Sequence, residues 1–179
     1  MAKRVEVLVS GFGGQGVVRI GQAVSKASVS QGYFTTMLVS HGTETRGGYV
    51  RTQTVMSEDE IDSPVVENPD FFIALSKAAY NRFKHLVKKG VVIYDPSYVD
   101  ALDEELAAKI KHVPLNARDL AVQKFGKELF NNSIIMGYLA KNMEGIIDKE
   151  ILVQSMLESV PKFHAENKAA FDFGYSLDI

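Results

Sequence analysis

Four glycines stand among the six residues Gly11-Phe12-Gly13-Gly14-Gln15-Gly16, in the spacing G-x-G-x-x-G. Gly11 and Gly13 permit a tight turn and let a ligand approach the backbone closely, and Gly16 is expected to let the following helix pack on the preceding strand. A helix that starts here offers unpaired N–H groups and the positive end of its dipole to an anion. Gln15 adds an amide able to donate and accept at one point. The chemistry on offer is the holding of a phosphate-like anion, and the turn does not select which one. A large side chain at Gly13 is expected to disturb the turn sterically.

A second segment, Ser40-His41-Gly42-Thr43-Glu44-Thr45-Arg46-Gly47-Gly48, brings three glycines, a carboxylate and a guanidinium together in nine residues. Arg46 suits a bidentate pair with phosphate or carboxylate that lysine would not reproduce. Glu44 suits orienting Arg46 or accepting a backbone N–H across an interface. The alternatives are a solvated loop, or loops that only complete a subunit interface.

A dinucleotide enzyme would need more than the glycines. The fingerprint calls for an acidic side chain about 20 residues on, at the end of the second strand, to bind a ribose. That strand, Tyr33 to Val39, ends in Ser40-His41, and the first carboxylate after it is Glu44. Arg46 is poorly placed to read a 2′-phosphate. The four histidines, His41, His85, His112 and His164, show no H-x-x-x-H or H-E-x-x-H spacing, so no metal site is expected. The chain has no cysteine, which excludes a disulfide, a cysteine nucleophile and iron–sulfur ligation by this chain.

The elements that must position these loops alternate as strand and helix over the first two thirds of the sequence. A strand at Val5–Ser10 leads through the turn into a helix from Gly16 to Gln31, with Val17, Ile20, Val24 and Ala27 on one face and Gly32 as its stop. Tyr49–Met56 alternates polar and apolar residues and reads as a half-buried strand, antiparallel and near an edge. Strands are also expected at 71–75, 91–94 and 111–115, and helices at 76–89, 101–110 and 116–125. The remainder reads as helices at 132–142, 149–160 and 165–173. Phe71, Phe72, Phe83, Tyr94 and Phe125 read as core; Tyr49 and Tyr175, beside glycine-rich or terminal segments, read as interface anchors.

The expectation is therefore an α/β, Rossmann-like three-layer sandwich with a mostly parallel sheet and a helical C-terminal portion, in one domain spanning 1–179. With 46% hydrophobic and 23% charged residues and a net charge of −2, nothing points to nucleic acid or a membrane surface. No apolar run reaches the roughly 18 residues of a membrane span. The amino end does not read as a signal peptide, and cytoplasmic residence is expected.

The turn Gly11-Phe12-Gly13-Gly14-Gln15-Gly16, followed by Gly42-Thr43-Glu44-Thr45-Arg46-Gly47-Gly48, resembles the gamma subunit of 2-oxoacid:ferredoxin oxidoreductases. That family carries a G-x-G-G-Q-G turn and then a G-x-E-x-R-G-G loop. The resemblance continues through Asn68-Pro69-Asp70, Gly90 to Asp95 and Asn132 to Gly137, and ends with Asn167, Ala170, Phe171 and Phe173-Gly174-Tyr175. It covers essentially the whole chain.

The resemblance implies a complex that converts a 2-oxoacid and coenzyme A to acyl-CoA and carbon dioxide while reducing ferredoxin. It implies thiamine diphosphate with Mg²⁺ and [4Fe–4S] clusters on alpha, beta and ferredoxin-like delta partners. This chain lacks cysteine, and Asn131-Asn132 has no upstream Gly-Asp-Gly for a thiamine-diphosphate motif, so it is expected to hold no catalytic residue, metal or cofactor alone. Its glycine loops would pack on the catalytic subunits and contact the coenzyme A region. The E-x-R-G-G form resembles the 2-oxoglutarate type more than the pyruvate type; the indolepyruvate oxidoreductase beta subunit is a related subfamily. Two other classes stay open: an autonomous nicotinamide-dependent reductase and a purely structural assembly subunit.

Overall fold

In the computed structural model, which describes residues 3–42 and 48–179, the strand before the glycine turn lies deep inside a six-stranded sheet. This strand, β1 (Arg4–Phe12), is buried from Val5 to Gly11. Its two buried polar side chains are satisfied. Glu6 accepts the backbone N–H groups of Glu67 and Asn68, each at 2.8 Å. Ser10 donates to the Val50 carbonyl at 3.0 Å.

Helix α1 (Val17–Ser30) buries Val17, Ile20, Ala23, Val24 and Ala27, the 3–4 spacing of an amphipathic face. Gly32 ends it at φ 99°, with its N–H on the Val29 carbonyl at 3.0 Å, as a left-handed glycine after a helix does. Strand β2 (Phe34–His41) and strand β3 (Tyr49–Ser57) then form an antiparallel hairpin.

The 49–56 strand is antiparallel and lies next to the edge as expected, but it is almost wholly buried rather than half-buried. The sheet order is β2-β3-β1, continued by β4 (Phe71–Ala74), β5 (Val91–Tyr94) and β6 (Lys111–Pro114), so β2 forms the edge and β3 lies inside. β3 pairs antiparallel with β1 along its whole length, from Arg4 opposite Ser57 to Phe12 opposite Tyr49. Apart from half-buried Arg51, its polar residues are small or bonded rather than solvated. Thr52, Gln53 and Thr54 are buried; Thr54 shares a hydrogen bond with Ser25 at 3.0 Å, and Gln53 accepts the Val66 N–H at 3.2 Å. β1, β4, β5 and β6 pair in parallel, as the alternation of strands and helices predicted.

The helices expected over 76–89 and 101–110 are shorter than their sequence pattern. α2 spans Lys77–Phe83 and tightens into a 3₁₀ turn at Lys84–Leu86, while α3 is confined to Glu104–Ala107. α4 (Ala117–Phe125) precedes a helical cluster of α5 (Asn131–Asn142), α6 (Lys149–Ser159) and α7 (His164–Ser176). α1, α5, α6 and α7 share one core with one face of the sheet, and α2 covers a second core on the other. Among the described residues no helix is long and apolar enough to cross a membrane.

Candidate functional site

The glycine turn sits where β1 passes into α1, at the edge of the sheet where the parallel strands end. Gln15 folds back across it. Its Oε1 accepts the Phe12 N–H at 2.6 Å and its Nε2 donates to the Leu75 carbonyl at 2.8 Å. Both ends of the amide are thus satisfied within the chain, and Gln15 ties the turn to the end of β4 rather than offering its amide outward. Gly11 belongs to the same packing: it is buried, and a Cβ there would lie 2.9 Å from the Leu75 Cβ. Gln15→Ala strands a backbone donor and a backbone acceptor, and is expected to lower stability by about 1–3 kcal/mol in urea unfolding.

Gly13 and Gly14 are exposed, and among the described residues no atom lies within 4 Å of where a Cβ would stand on either. The steric expectation for Gly13 is corrected on this geometry, because the space is open on the chain's own side. A side chain there would meet only what docks against the turn. Gly16 has φ 81°, and the Asn132 carboxamide of α5 occupies the place of its missing Cβ. The close approach of α1 to the sheet occurs instead at Gly21, where a Cβ would lie 2.7 Å from the Thr52 Cβ.

α1 begins at Gly16 without a side-chain cap, and its first turn contains no acidic residue. The first intrahelical bond runs from the Ile20 N–H to the Gly16 carbonyl, so the N–H groups of Val17, Val18 and Arg19 have no partner within the helix. These residues line a cleft of about 540 Å³ with Gly13, Gly14, His41 and Asn132. Arg19 is exposed in that first turn, where the helix dipole disfavours a cation. Its positive charge adds to that of the helix end. Glu128 also lines the cleft, but its carboxylate is held by Arg118 at 2.5 Å. The Asn132 Oδ1 is buried and has no hydrogen-bond partner among the described residues. A smaller apolar hollow of about 170 Å³ continues from the cleft past Arg19, Leu129 and Asn132 toward Met136 and Phe163.

The described ends of the second segment come beside the glycine turn through the hairpin. The Gly42 N–H donates to the Tyr49 carbonyl at 2.7 Å, and Tyr49 pairs with Phe12 at the start of the glycine turn. Gly42 and Gly48, both half-buried, are the described ends of that loop. Glu44, Arg46 and Gly47 lie outside the described residues. Arg19, His41, Glu128, Asn131 and Asn132 line the cleft without having been singled out for it. Arg19 was legible as a cation in the first turn of a helix. The others reach the cleft only through folding.

Residues 6–177 match the family described as pyruvate ferredoxin/flavodoxin oxidoreductase. The chain is 30% identical over 176 residues to the 2-oxoglutarate synthase subunit KorC of Methanocaldococcus jannaschii, spanning 97% of this chain and 94% of that one. Its fold matches the gamma subunit of the keto/oxoacid ferredoxin oxidoreductase of Geobacter sulfurreducens PCA with a TM-score of 0.82 at 25% identity, over 97% and 95% of the two chains. The 2-oxoglutarate:ferredoxin oxidoreductase of Magnetococcus marinus, solved with 2-oxoglutarate, coenzyme A and succinyl-CoA, shares the fold at a TM-score of 0.82 and 22% identity, this chain covering 31% of its length. The chain belongs to the pyruvate ferredoxin/flavodoxin oxidoreductase family, in which it is a gamma-type subunit of a multi-subunit 2-oxoacid:ferredoxin oxidoreductase.

Proposed function

We propose that this subunit serves a complex oxidising 2-oxoglutarate to its acyl-CoA, and that its glycine cleft receives the phosphate-bearing part of coenzyme A beside the catalytic subunits. The observation that carries the coenzyme A part is the uncapped start of α1, with exposed Gly13 and Gly14 before it and Arg19 within it. Near full-length likeness to a 2-oxoglutarate synthase subunit supports the substrate class. In this reading the N–H groups of Val17 to Arg19 orient a phosphate oxygen, Arg19 and Arg46 supply charge, and the bare glycines let the ligand reach the backbone.

Magnitudes argue that the chain does not do this alone. A helix end contributes at most about 2 kcal/mol toward an anion, far less than a stable complex with a free ligand requires. A partner surface must close the cleft, and the isolated chain is expected to be inactive. The residues of this chain also do not fit the redox groups of the family. It has no cysteine, and among the described residues no three His, Asp or Glu side chains gather to hold a metal. We assign thiamine diphosphate with Mg²⁺ to alpha and beta partners, and the [4Fe–4S] clusters to a ferredoxin-like delta partner. Ferredoxin is then the acceptor of a cytoplasmic complex.

The test is purification of the chain with its partners at native expression level, followed by assay of coenzyme A-dependent 2-oxoacid oxidation. Arg46→Ala is expected to lower that activity about tenfold or more, the loss of one charged hydrogen-bonded pair, with the subunit still folded. Gly13→Val is expected to raise the KM for coenzyme A without changing the fold. Normal kinetics in both variants would remove the cleft from coenzyme A binding. Recovery of the chain alone, binding a nicotinamide nucleotide tightly, would replace the subunit reading with a reductase.

A further inference from the structure

The face of the sheet opposite α1 carries a second positively charged feature, separate from the glycine cleft. Here α2 packs on β1 and β4, toward the middle of the sheet. Farther out, Phe34 and Leu38 of the edge strand β2 share this face with Ser57 and Gln53, their cross-strand partners. Neither belongs to a hydrophobic core, and Phe34 is 51% exposed. β2 reads Phe-Thr-Thr-Met-Leu-Val-Ser-His, without a lysine, carboxylate or proline to discourage a neighbour.

Between that apolar margin and α2, an open cleft of about 470 Å³ is lined by Tyr49, Arg51, Arg82 and Phe83. The Arg82 guanidinium carbon lies 4.5 Å from the centre of the Tyr49 ring, and that of Arg51 lies 5.1 Å from the centre of the Phe83 ring. The two rings meet edge to face at 5.5 Å. Aromatic faces, not carboxylates, order both guanidiniums: among the described residues neither enters an ion pair. The Arg51 Nε is buried with no acceptor among the described residues. Residues 43–47, close by in sequence, contain one glutamate and one arginine and add no net charge.

A buried guanidinium nitrogen without an acceptor is costly until an anion arrives. Stacking on rings holds both arginines in place beforehand, which lowers the entropy lost on binding. Arginine and tyrosine within an apolar surround are the usual make-up of an interface hot spot. The charge selects a carboxylate, and the rings of Tyr49 and Phe83 with exposed Val65 in the same lining select a protein surface over a free anion.

We propose that this face docks another subunit of the same oxidoreductase, which lays a carboxylate side chain across Arg51 and Arg82. This rests on the subunit reading above. The test measures the affinity of the full chain for the remaining subunits as a function of salt, for wild type, Arg82→Glu, Arg51→Ala and the control Lys88→Glu. Lys88 is exposed and outside the cleft, so its variant makes the same charge change elsewhere.

Arg82→Glu and Arg51→Ala are expected to weaken assembly about tenfold or more and to flatten its salt dependence, while Lys88→Glu does neither. Saturating concentrations of Arg82→Glu are expected to restore coenzyme A-dependent turnover, since the residue docks and does not touch substrate. Arg82→Glu is exposed and keeps the test decisive if Arg51→Ala fails to fold. Unchanged affinity in Arg82→Glu, with wild type assembling normally, would overturn this proposal and leave the subunit reading intact. Wild type that binds no oxidoreductase subunit would overturn both. A wild-type self-dimer that Arg82→Glu dissociates would give the face to a second copy, and so would overturn the proposal.

Discussion

Gly137→Val is expected to destabilise the protein by about 3 kcal/mol or more, a fall in Tm of roughly 6–12 °C for a domain of this size. α5 and α7 cross with their backbones in contact. A Cβ on Gly137 would lie 2.8 Å from the Phe171 carbonyl carbon and 2.8 Å from the Tyr175 nitrogen. From the other side, a Cβ on Gly174 would lie 2.8 Å from the Ile134 carbonyl carbon. Main-chain atoms cannot rotate away as a flexible side chain does, so a β-branched residue must separate the helices. Ile134, Leu139, Ala170 and Phe171, all buried in the shared core, would lose packing as the helices part. Differential scanning calorimetry checks the prediction, and a Tm within about 2 °C of wild type would show that the crossing is pliable.

Gly16→Ala is expected to cost about 2–5 kcal/mol and to disturb the candidate site at the same time. Two separable terms contribute. Alanine at φ 81° pays the left-handed penalty of about 1–2 kcal/mol. Its methyl group also displaces the Asn132 carboxamide from the space over the helix end, an overpacking term of about 1–3 kcal/mol. The pair of changes can be told apart by a double-mutant cycle in chemical denaturation. Gly16→Ala/Asn132→Ala should recover the steric part and leave the backbone part. Strict additivity of the two single changes would mean that Asn132 does not depend on the bare glycine.

The site was legible wherever it rests on local pattern. The run from Val5 through the four glycines into Val17, Ile20 and Val24 demands a strand, a turn and an amphipathic helix, and these form there. Gly32 ended the helix for the same local reason. Asn116 and Asp148 stand at the N-cap positions of α4 and α6, although neither side chain makes a cap hydrogen bond. Asn116 instead accepts from Ser97 at 3.1 Å and donates to Asp119 at 2.9 Å. The α2 and α3 segments read as longer helices because their helix-forming residues continue past the ends that tertiary packing allows.

The roles of Gln15 and β3 illustrate the limit. A glutamine amide in a glycine turn offers itself equally to a ligand or to a neighbouring strand, and the choice depends on the Leu75 carbonyl arriving beside it. Polar residues alternating along Tyr49–Ser57 suit a solvent-facing edge or a buried strand with small, bonded polar groups. The full-length pairing with β1 and the closeness of Gly21 to Thr52 selected the second.

The amino-acid sequence by itself determined the strand–turn–helix frame, the absence of thiolate chemistry and the family motifs, because each depends on residue type and on neighbours within a turn or two. Only the tertiary structure decided that β3 lies inside the sheet, that Asn132 covers Gly16, that Gln15 is occupied, and that Arg51 and Arg82 share one aromatic shelf. Those outcomes join residues far apart in the chain, and they are settled by which backbone groups and rings the packed sheet brings within bonding distance.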